Sequence, residues 1–337
     1  MTIGRGAAIF GCHGPVLLPQ EADFFADYDP FGFIIFARNV ETPDQLRRLT
    51  DDLRRAVGRD APIMIDQEGG RVQRLRAPHW RDWQPPLDTI ALAGPNAARA
   101  MALRSMIIAA ELRAVGIDAN CAPVGDVATD ATHPFLRNRC YGTDAATVAL
   151  IARAVADAHL AMGVLPVIKH LPGHGRATAD THHDLPRVTT GLADLIATDF
   201  VPFTALNDLP MAMTAHVVFS AVDPDHPATQ SVAMIRLIRD QIGFAGLLMT
   251  DDLNMNALAG DLAHRTALSM AAGCDIALHC KGDLGEMQSV ASTAGDMSAA
   301  TQSRAAKALS RRTAAINVDI TALHDEFLGL LGQGAHG

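Results

Sequence analysis

Val164-Leu-Pro-Val-Ile168 runs directly into Lys169-His-Leu-Pro-Gly-His-Gly-Arg-Ala-Thr-Ala-Asp-Thr-His-His-Asp184, and an amphipathic pattern resumes near Leu192. The apolar run is short and bounded by a turn signal, as a buried strand is. Pro172, Gly173 and Gly175 then mark a loop. A loop of this length without its own periodicity is usually functional or disordered. Four histidines, two aspartates and a lysine make poor linker material, so function is the better expectation. A solvated polar loop is the plain alternative.

The same strand–loop–helix unit recurs on both sides of this stretch. Strands are expected at Ala7–Phe10, Phe33–Phe36, Pro62–Ile65, Ile117–Cys121, up to Lys169, Met211–Thr214, Gly246–Met249 and Asp275–Leu278. Helical patterns cover Gln20–Tyr28, a stretch from Thr42 through Val57, Ala97–Val115, Asp144–Met162, Asp194–Leu206, Val232–Gln241 and Leu262–Ala272. Thr42-Pro43-Asp44-Gln45 reads as an N-cap, a proline at the first helical position and a capping box. The segment from Arg74 to about Gly94, with Trp80, Trp83, Pro85 and Pro86, reads as irregular. Strands alternating with helices imply a parallel sheet. Eight units without a compositional break favour an α/β fold of the closed (β/α)8 TIM-barrel type over an open doubly wound sheet. The turn after the first strand also lacks the GxGxxG fingerprint of a dinucleotide fold. One domain spanning residues 1–337 is expected, with two amphipathic helices from about Met297 onward packed on the barrel.

Composition narrows the function. Of 337 residues, 49% are hydrophobic and 19% charged, the balance of a soluble globular chain. The net charge of -9 and the lack of any basic run argue against a nucleic-acid surface. No stretch approaches the ~18 uninterrupted apolar residues of a membrane span. The N-terminal residues do not have the layout of a signal peptide. Cys12, Cys121, Cys140, Cys274 and Cys280 form no CxxC pair, so reduced, buried thiols in a cytoplasmic protein are expected. A monomer is the default expectation.

A (β/α)8 barrel places its active site at the C-terminal ends of its strands. Asp66, Asp126, Lys169 with His170, His216, Asp251 and His279 follow six of the eight strands at that pole. One or two such residues would mean little; a converging ring is harder to explain as solvation. A metal site could draw on His170, His174, His182, His183 and His216, but no HxH or HExxH pair is present, and no metal or other cofactor is expected. A GxSxG nucleophile elbow and a P-loop are also absent. Glycoside hydrolysis fits better. It needs a carboxylate beneath the anomeric carbon and a proton donor beside the leaving oxygen. Asp251, at a strand end, suits the nucleophile. Asp180-Thr181-His182 puts a carboxylate two residues from an imidazole, which favours the protonated ring. That imidazole could donate a proton and later accept one from water.

At these residues the chain resembles the single-domain β-N-acetylhexosaminidases of glycoside hydrolase family 3. The motifs are Phe36-Ala-Arg-Asn39, Asp66-Gln-Glu-Gly-Gly-Arg-Val-Gln-Arg74, Ala122-Pro-Val124, Lys169-His-Leu-Pro-Gly-His-Gly175, Asp180-Thr-His182 and Thr250-Asp-Asp-Leu253, in order over roughly residues 28–280. The resemblance implies that Asp251 is the nucleophile forming a covalent glycosyl-enzyme, His182 the acid/base and Asp180 its partner. It implies that Asp66, Lys169 and His170 bind hydroxyls of a terminal N-acetylglucosamine, with Arg74 and Arg139 lining the same subsite. The substrate it implies is an N-acetylglucosamine-containing saccharide or a 1,6-anhydro-N-acetylmuramyl muropeptide of peptidoglycan recycling.

Three departures touch the pocket wall or the loop: Leu171 where phenylalanine is common, Cys140-Tyr141, and the extra imidazole of His183. His174 is expected to tie down its glycine-flanked loop, and Trp80 and Trp83 to pack a lid. His216 is a candidate to support the site from behind, and His279 a rim histidine. A phosphorylase on the same framework and a sugar-binding protein without catalysis are the competing functions. Substrate-assisted catalysis by Asp251-Asp252 is the competing mechanism.

Overall fold

The computed structural model describes residues 2–177 and 185–332. Its centre is an eight-stranded parallel sheet: β1 Gly6–Gly11, β2 Pro30–Ile35, β3 Ile63–Ile65, β4 Ala119–Asn120, β5 Leu165–Leu171, β6 Met211–Thr214, β7 Leu247–Met249 and β8 Ala277–His279. Neighbours pair in chain order, and β1 pairs with β8 through Ala8–Ala277, Ile9–Leu278 and Phe10–His279. A parallel bridge between Met249 and Ile276 links β7 to the start of β8 and closes the ring. The expected (β/α)8 barrel is therefore the fold.

Side chains alternate across the barrel wall, as the two-residue period of a strand requires. Ala7, Ile9, Ile34, Met64, Val167, Met213, Met249 and Leu278 share one buried cluster, the barrel interior. Ala8, Phe10, Phe33, Ile65, Ile168, Ala212, Leu248 and Ala277 share another, packed with apolar residues of the surrounding helices such as Leu46, Leu49 and Leu53. The runs contain few polar residues because both faces of a parallel strand are covered.

The C-terminal helix Ala299–Ser310 packs on the pole at which the strands begin. Ala305, Ala308 and Leu309 join the interior cluster. Buried Asp275, just before β8, accepts from Thr301 Oγ1 at 3.1 Å and Arg239 Nη2 at 2.7 Å, and also pairs with Arg304. Asp118, just before β4, is held by Arg54 at 2.8 Å and Arg312 at 2.6 Å. These carboxylates lock the base, leaving the other pole open. No helix among the described residues is long and apolar enough to cross a membrane.

Several local expectations are corrected. The segment taken as irregular contains a helix, Pro86–Ala93, started by its prolines. Fully buried Arg104 pins it, donating to Thr89 Oγ1 at 2.6 Å and to the carbonyls of Gln84 and Glu68 at 2.7 Å. A proline-rich stretch hides this structure because its order comes from a distant arginine. Asp194–Leu206 is broken into Leu192–Ala197 and Val201–Ala205, with Pro202 opening the second piece. Helix Leu284–Ala294, which the pattern did not single out, follows β8. Thr42 does cap Pro43–Ala56 through Gln45 N, but Gln45 Oε1 accepts from Glu41 N rather than from the cap, so the box is displaced by one residue.

Candidate active site

A cleft of about 410 Å³ opens at the C-terminal pole of the barrel, within the size range of small-molecule sites. Asp66, Arg74, Arg139, Lys169, His170 and Asp251 all line it. Arg71, His133, Phe135, His174, Asp252, Met255 and Cys280 complete much of the wall. Asp180 and His182 lie outside the described residues, as does His183.

Strand parity explains who reaches the cleft. Met249 faces the interior, so Asp251 two residues on rises from the floor. Val167 likewise points Lys169 inward. His170 should then face away, yet it also lines the cleft. The β5–β6 register shifts between Ile168 and Leu171, and such irregularities re-aim side chains next to sites. His279 continues the parity of Ala277 and meets Phe10 on the outer side, with its ring centroid 6.2 Å away. It is therefore removed from the mouth where the sequence placed it. His216 is fully buried beneath the cleft, bonded to Thr229 Oγ1 at 2.8 Å and to the Asp252 carbonyl at 3.0 Å.

The site is a lattice of alternating charge. Lys169 Nζ sits 2.7 Å from Asp66 Oδ1 and 2.6 Å from Glu68 Oε1. Arg74 Nη2 reaches Asp66 Oδ2 at 3.0 Å and lies over the Phe36 ring. Arg139 grips Glu68 with both edges of its fork, at 2.9 and 2.8 Å. Burial would raise both pKa values, but Lys169, Arg74 and Arg139 hold Asp66, and Arg139 and Lys169 hold Glu68, below the usual carboxylate range. Burial would likewise lower Lys169, but Asp66 and Glu68 push its pKa up. Lys169 is therefore a fixed cation and hydrogen-bond donor, not a base.

The adjacent aspartates are differentiated. Burial opposes ionisation of Asp251, but His216 and then His170 bring its pKa below the ordinary value, and Asp252 N donates to its Oδ1 at 2.8 Å. Burial, reinforced by the charge of Asp251, pushes Asp252 up to about 6. Asp252 Oδ1 accepts from the backbone of Asn254 and Cys280, each at 3.2 Å. It serves as a local cap for these two N–H groups, and Asp251 is the more readily ionised of the pair.

Two buried carboxylates were passed over as site residues. Glu68, inside the quoted motif, lies on the hairpin strand Gln67–Gly69 that pairs with Val72–Gln73, and its side chain is withdrawn from solvent. Asp126 was placed in the ring at the mouth, but it is fully buried behind His170. Its Oδ2 lies 2.7 Å from His170 Nδ1, and its Oδ1 accepts from the backbone N–H of His170 and of His174. His174 lines the cleft as well as holding the loop, and burial followed by the nearby His170 brings its pKa down to about 4. Gly175 passes so close to Val127 that a Cβ would stand 1.8 Å from the Val127 carbonyl oxygen, so this crossing requires glycine. Trp83 packs on Phe327 of the C-terminal helix Ile320–Leu330, and neither tryptophan lines the cleft. All five cysteines are free and buried.

A cleft at this pole of a (β/α)8 barrel, walled by fixed donors and carrying an ionised aspartate on its floor, has the parts a glycoside hydrolase uses. Residues 19–313 match the glycosyl hydrolase family 3 N terminal domain, and the chain belongs to that family. It is 37% identical over 260 residues to a protein named Beta-hexosaminidase from Bordetella avium (strain 197N), covering 74% of this chain and 73% of that one. Native NagZ from Neisseria gonorrhoeae superposes with a TM-score of 0.84 at 27% identity, over 98% of this chain and 97% of that chain. NagZ from the same organism in complex with N-trifluoroacetyl-D-glucosamine matches with a TM-score of 0.77 at 27% identity, over 92% of this chain and 99% of that chain. Within family 3 the chain thus falls among the β-N-acetylhexosaminidases.

Proposed function

We propose that the chain is a retaining exo-β-N-acetylglucosaminidase. It removes a terminal N-acetylglucosamine from 1,6-anhydro-N-acetylmuramyl muropeptides during cytoplasmic peptidoglycan recycling. The observation that carries this reading is Asp251 on the floor of a cleft walled by Lys169, Asp66, Arg74, Arg139 and His170. The Beta-hexosaminidase relative and the glucosamine-derivative complex of the Neisseria protein support the choice of sugar.

In this mechanism Lys169, His170 and Asp66 hold the sugar hydroxyls, and Arg74 and Arg139 shape the same subsite. Asp251 attacks the anomeric carbon as His182, assisted by Asp180, gives a proton to the departing oxygen. A covalent glycosyl-enzyme forms. His182 then takes a proton from water, which attacks the same carbon, releases the sugar and restores Asp251. Asp66 and Glu68 hold Lys169 and Arg139 in fixed positions, which supports a site that needs little reorganisation of these side chains during reaction.

The test is product analysis by mass spectrometry, with a muropeptide and chitobiose as substrates, with and without phosphate. Free N-acetylglucosamine from the muropeptide in both buffers is expected. Sugar 1-phosphate formed in phosphate would identify a phosphorylase, and no turnover of either substrate would leave a binding protein. The proton donor has its own test. His182→Ala should lower kcat by about 10²–10⁴-fold on glycosides with poor leaving groups and far less on activated aryl glycosides. Equal losses on both classes would reject an acid/base role for His182.

A further inference from the structure

We propose that Asp126 is a positioning residue for this reaction, setting both the ring orientation and the tautomer of His170. The inference rests on the reading of His170 as a sugar ligand. Asp126 does not line the cleft, yet the bonds of its carboxylate described above all go to the segment that does. Oδ1 fixes the backbone at His170 and His174, and Oδ2 faces the His170 ring. A carboxylate accepts, so His170 Nδ1 must carry a proton. Nε2 is then the ring's other polar atom, and it lies 3.5 Å from Arg139 Nη2.

The opposite tautomer would fit badly on both sides. It would aim an Nε2 proton at a guanidinium and a lone pair at a carboxylate. Asp126 therefore makes His170, in its neutral form, present an acceptor toward Arg139 and the substrate hydroxyls. The backbone supports the same geometry: Gly125 N donates to the Lys169 carbonyl at 2.7 Å and Lys169 N to the Pro123 carbonyl at 3.1 Å. The segment after β4 thus registers Asp126 directly against the end of β5. Orienting a ligand imidazole through its far nitrogen is an established device at metal sites; here the imidazole would serve a sugar.

Asp126→Asn is the informative variant. Its side-chain oxygen can keep both backbone N–H groups, while its amide turns an N–H toward His170 Nδ1. Nitrogen-15 NMR of the full chain should find His170 with Nδ1–H in the native protein and with Nε2–H in the variant. On an aryl N-acetylglucosaminide, kcat/KM should fall by roughly 10–100-fold, by analogy with the loss of such supporting partners elsewhere. Asp126→Glu should recover part of that loss. A native His170 in the Nε2–H tautomer would overturn the proposal, whether or not the variant folds. So would a changed tautomer with kcat/KM within about twofold of native, which lies outside the loss expected for such partners. A native chain that turns over no aryl N-acetylglucosaminide would instead reject the functional reading, leaving the tautomer measurement to stand alone.

Discussion

Asp251→Asn should lower kcat on an aryl N-acetyl-β-glucosaminide by roughly four to six powers of ten, the scale seen when a covalent nucleophile or its immediate partner is removed. The change keeps shape and the acceptor for Asp252 N, so the fold should survive, as a matching thermal midpoint would show. What disappears is the anion that would bond the anomeric carbon. A 2-fluoro glycoside should label Asp251 in the native chain, with peptide mapping placing the adduct on that residue. Substrate-assisted catalysis makes a different forecast: no adduct forms, and Asp252 matters as much as Asp251. The geometry disfavours this because the two carboxylates are not equivalent. Asp251 continues the inward parity of β7 and is held ionised, whereas Asp252 caps local N–H groups and is pushed up to about 6. Active native enzyme that is never labelled would end the nucleophile assignment.

The barrel was legible because parallel strands covered on both faces leave short, unmistakable apolar runs, and because caps such as Thr42 sit where helices begin. The cleft-lining residues at strand ends were legible for a related reason: such residues inherit the strand's parity. Where the parity continues, as at Asp251, position in sequence located the side chain. Following a strand is not enough, as His279 shows, and a strand irregularity can bring in a side chain of the wrong parity, as His170 shows. His279 looked like part of the mouth but faces outward. His170, expected at the mouth, lines the cleft where β5 slips against β6. The roles of Glu68 and Asp126 could not be read from the chain alone. Their work is to hold other side chains, and those partners lie 71 residues away in sequence for Arg139 and 44 for His170, with Lys169 farther still from Glu68. A buried carboxylate next to a motif is the one available signal, and it becomes specific only once the fold supplies the cations.

Glu68→Gln should destabilise the protein by about 3–5 kcal/mol, the usual consequence of removing one member of a buried ion pair. Glu68 contributes no surface to the cleft, so this loss would not come from a missing substrate contact. The neutral amide cannot accept both edges of the Arg139 fork, because one side of it is now a donor. Lys169 keeps only Asp66 as its carboxylate partner, and Asp66 is already shared with Arg74. Arg139 then loses its paired carboxylate, and Lys169 shares its remaining one with Arg74. The same reorganisation should raise KM, since Arg139 and Lys169 are the side chains expected to meet the sugar. Urea unfolding of native and variant chains measures the first effect, and the pH dependence of the difference identifies its source. Glu68 has a folded pKa below the ordinary value of 4.5, so its stabilisation is fully present above that pH and is lost as the pH falls through the folded value. The native–variant gap should therefore be constant near neutrality and close in acid. A gap below about 1 kcal/mol at pH 7, the level of an exposed pair, would mean that the hairpin relaxes to let water reach Arg139. In that case the charge lattice orders the cleft without holding the fold together.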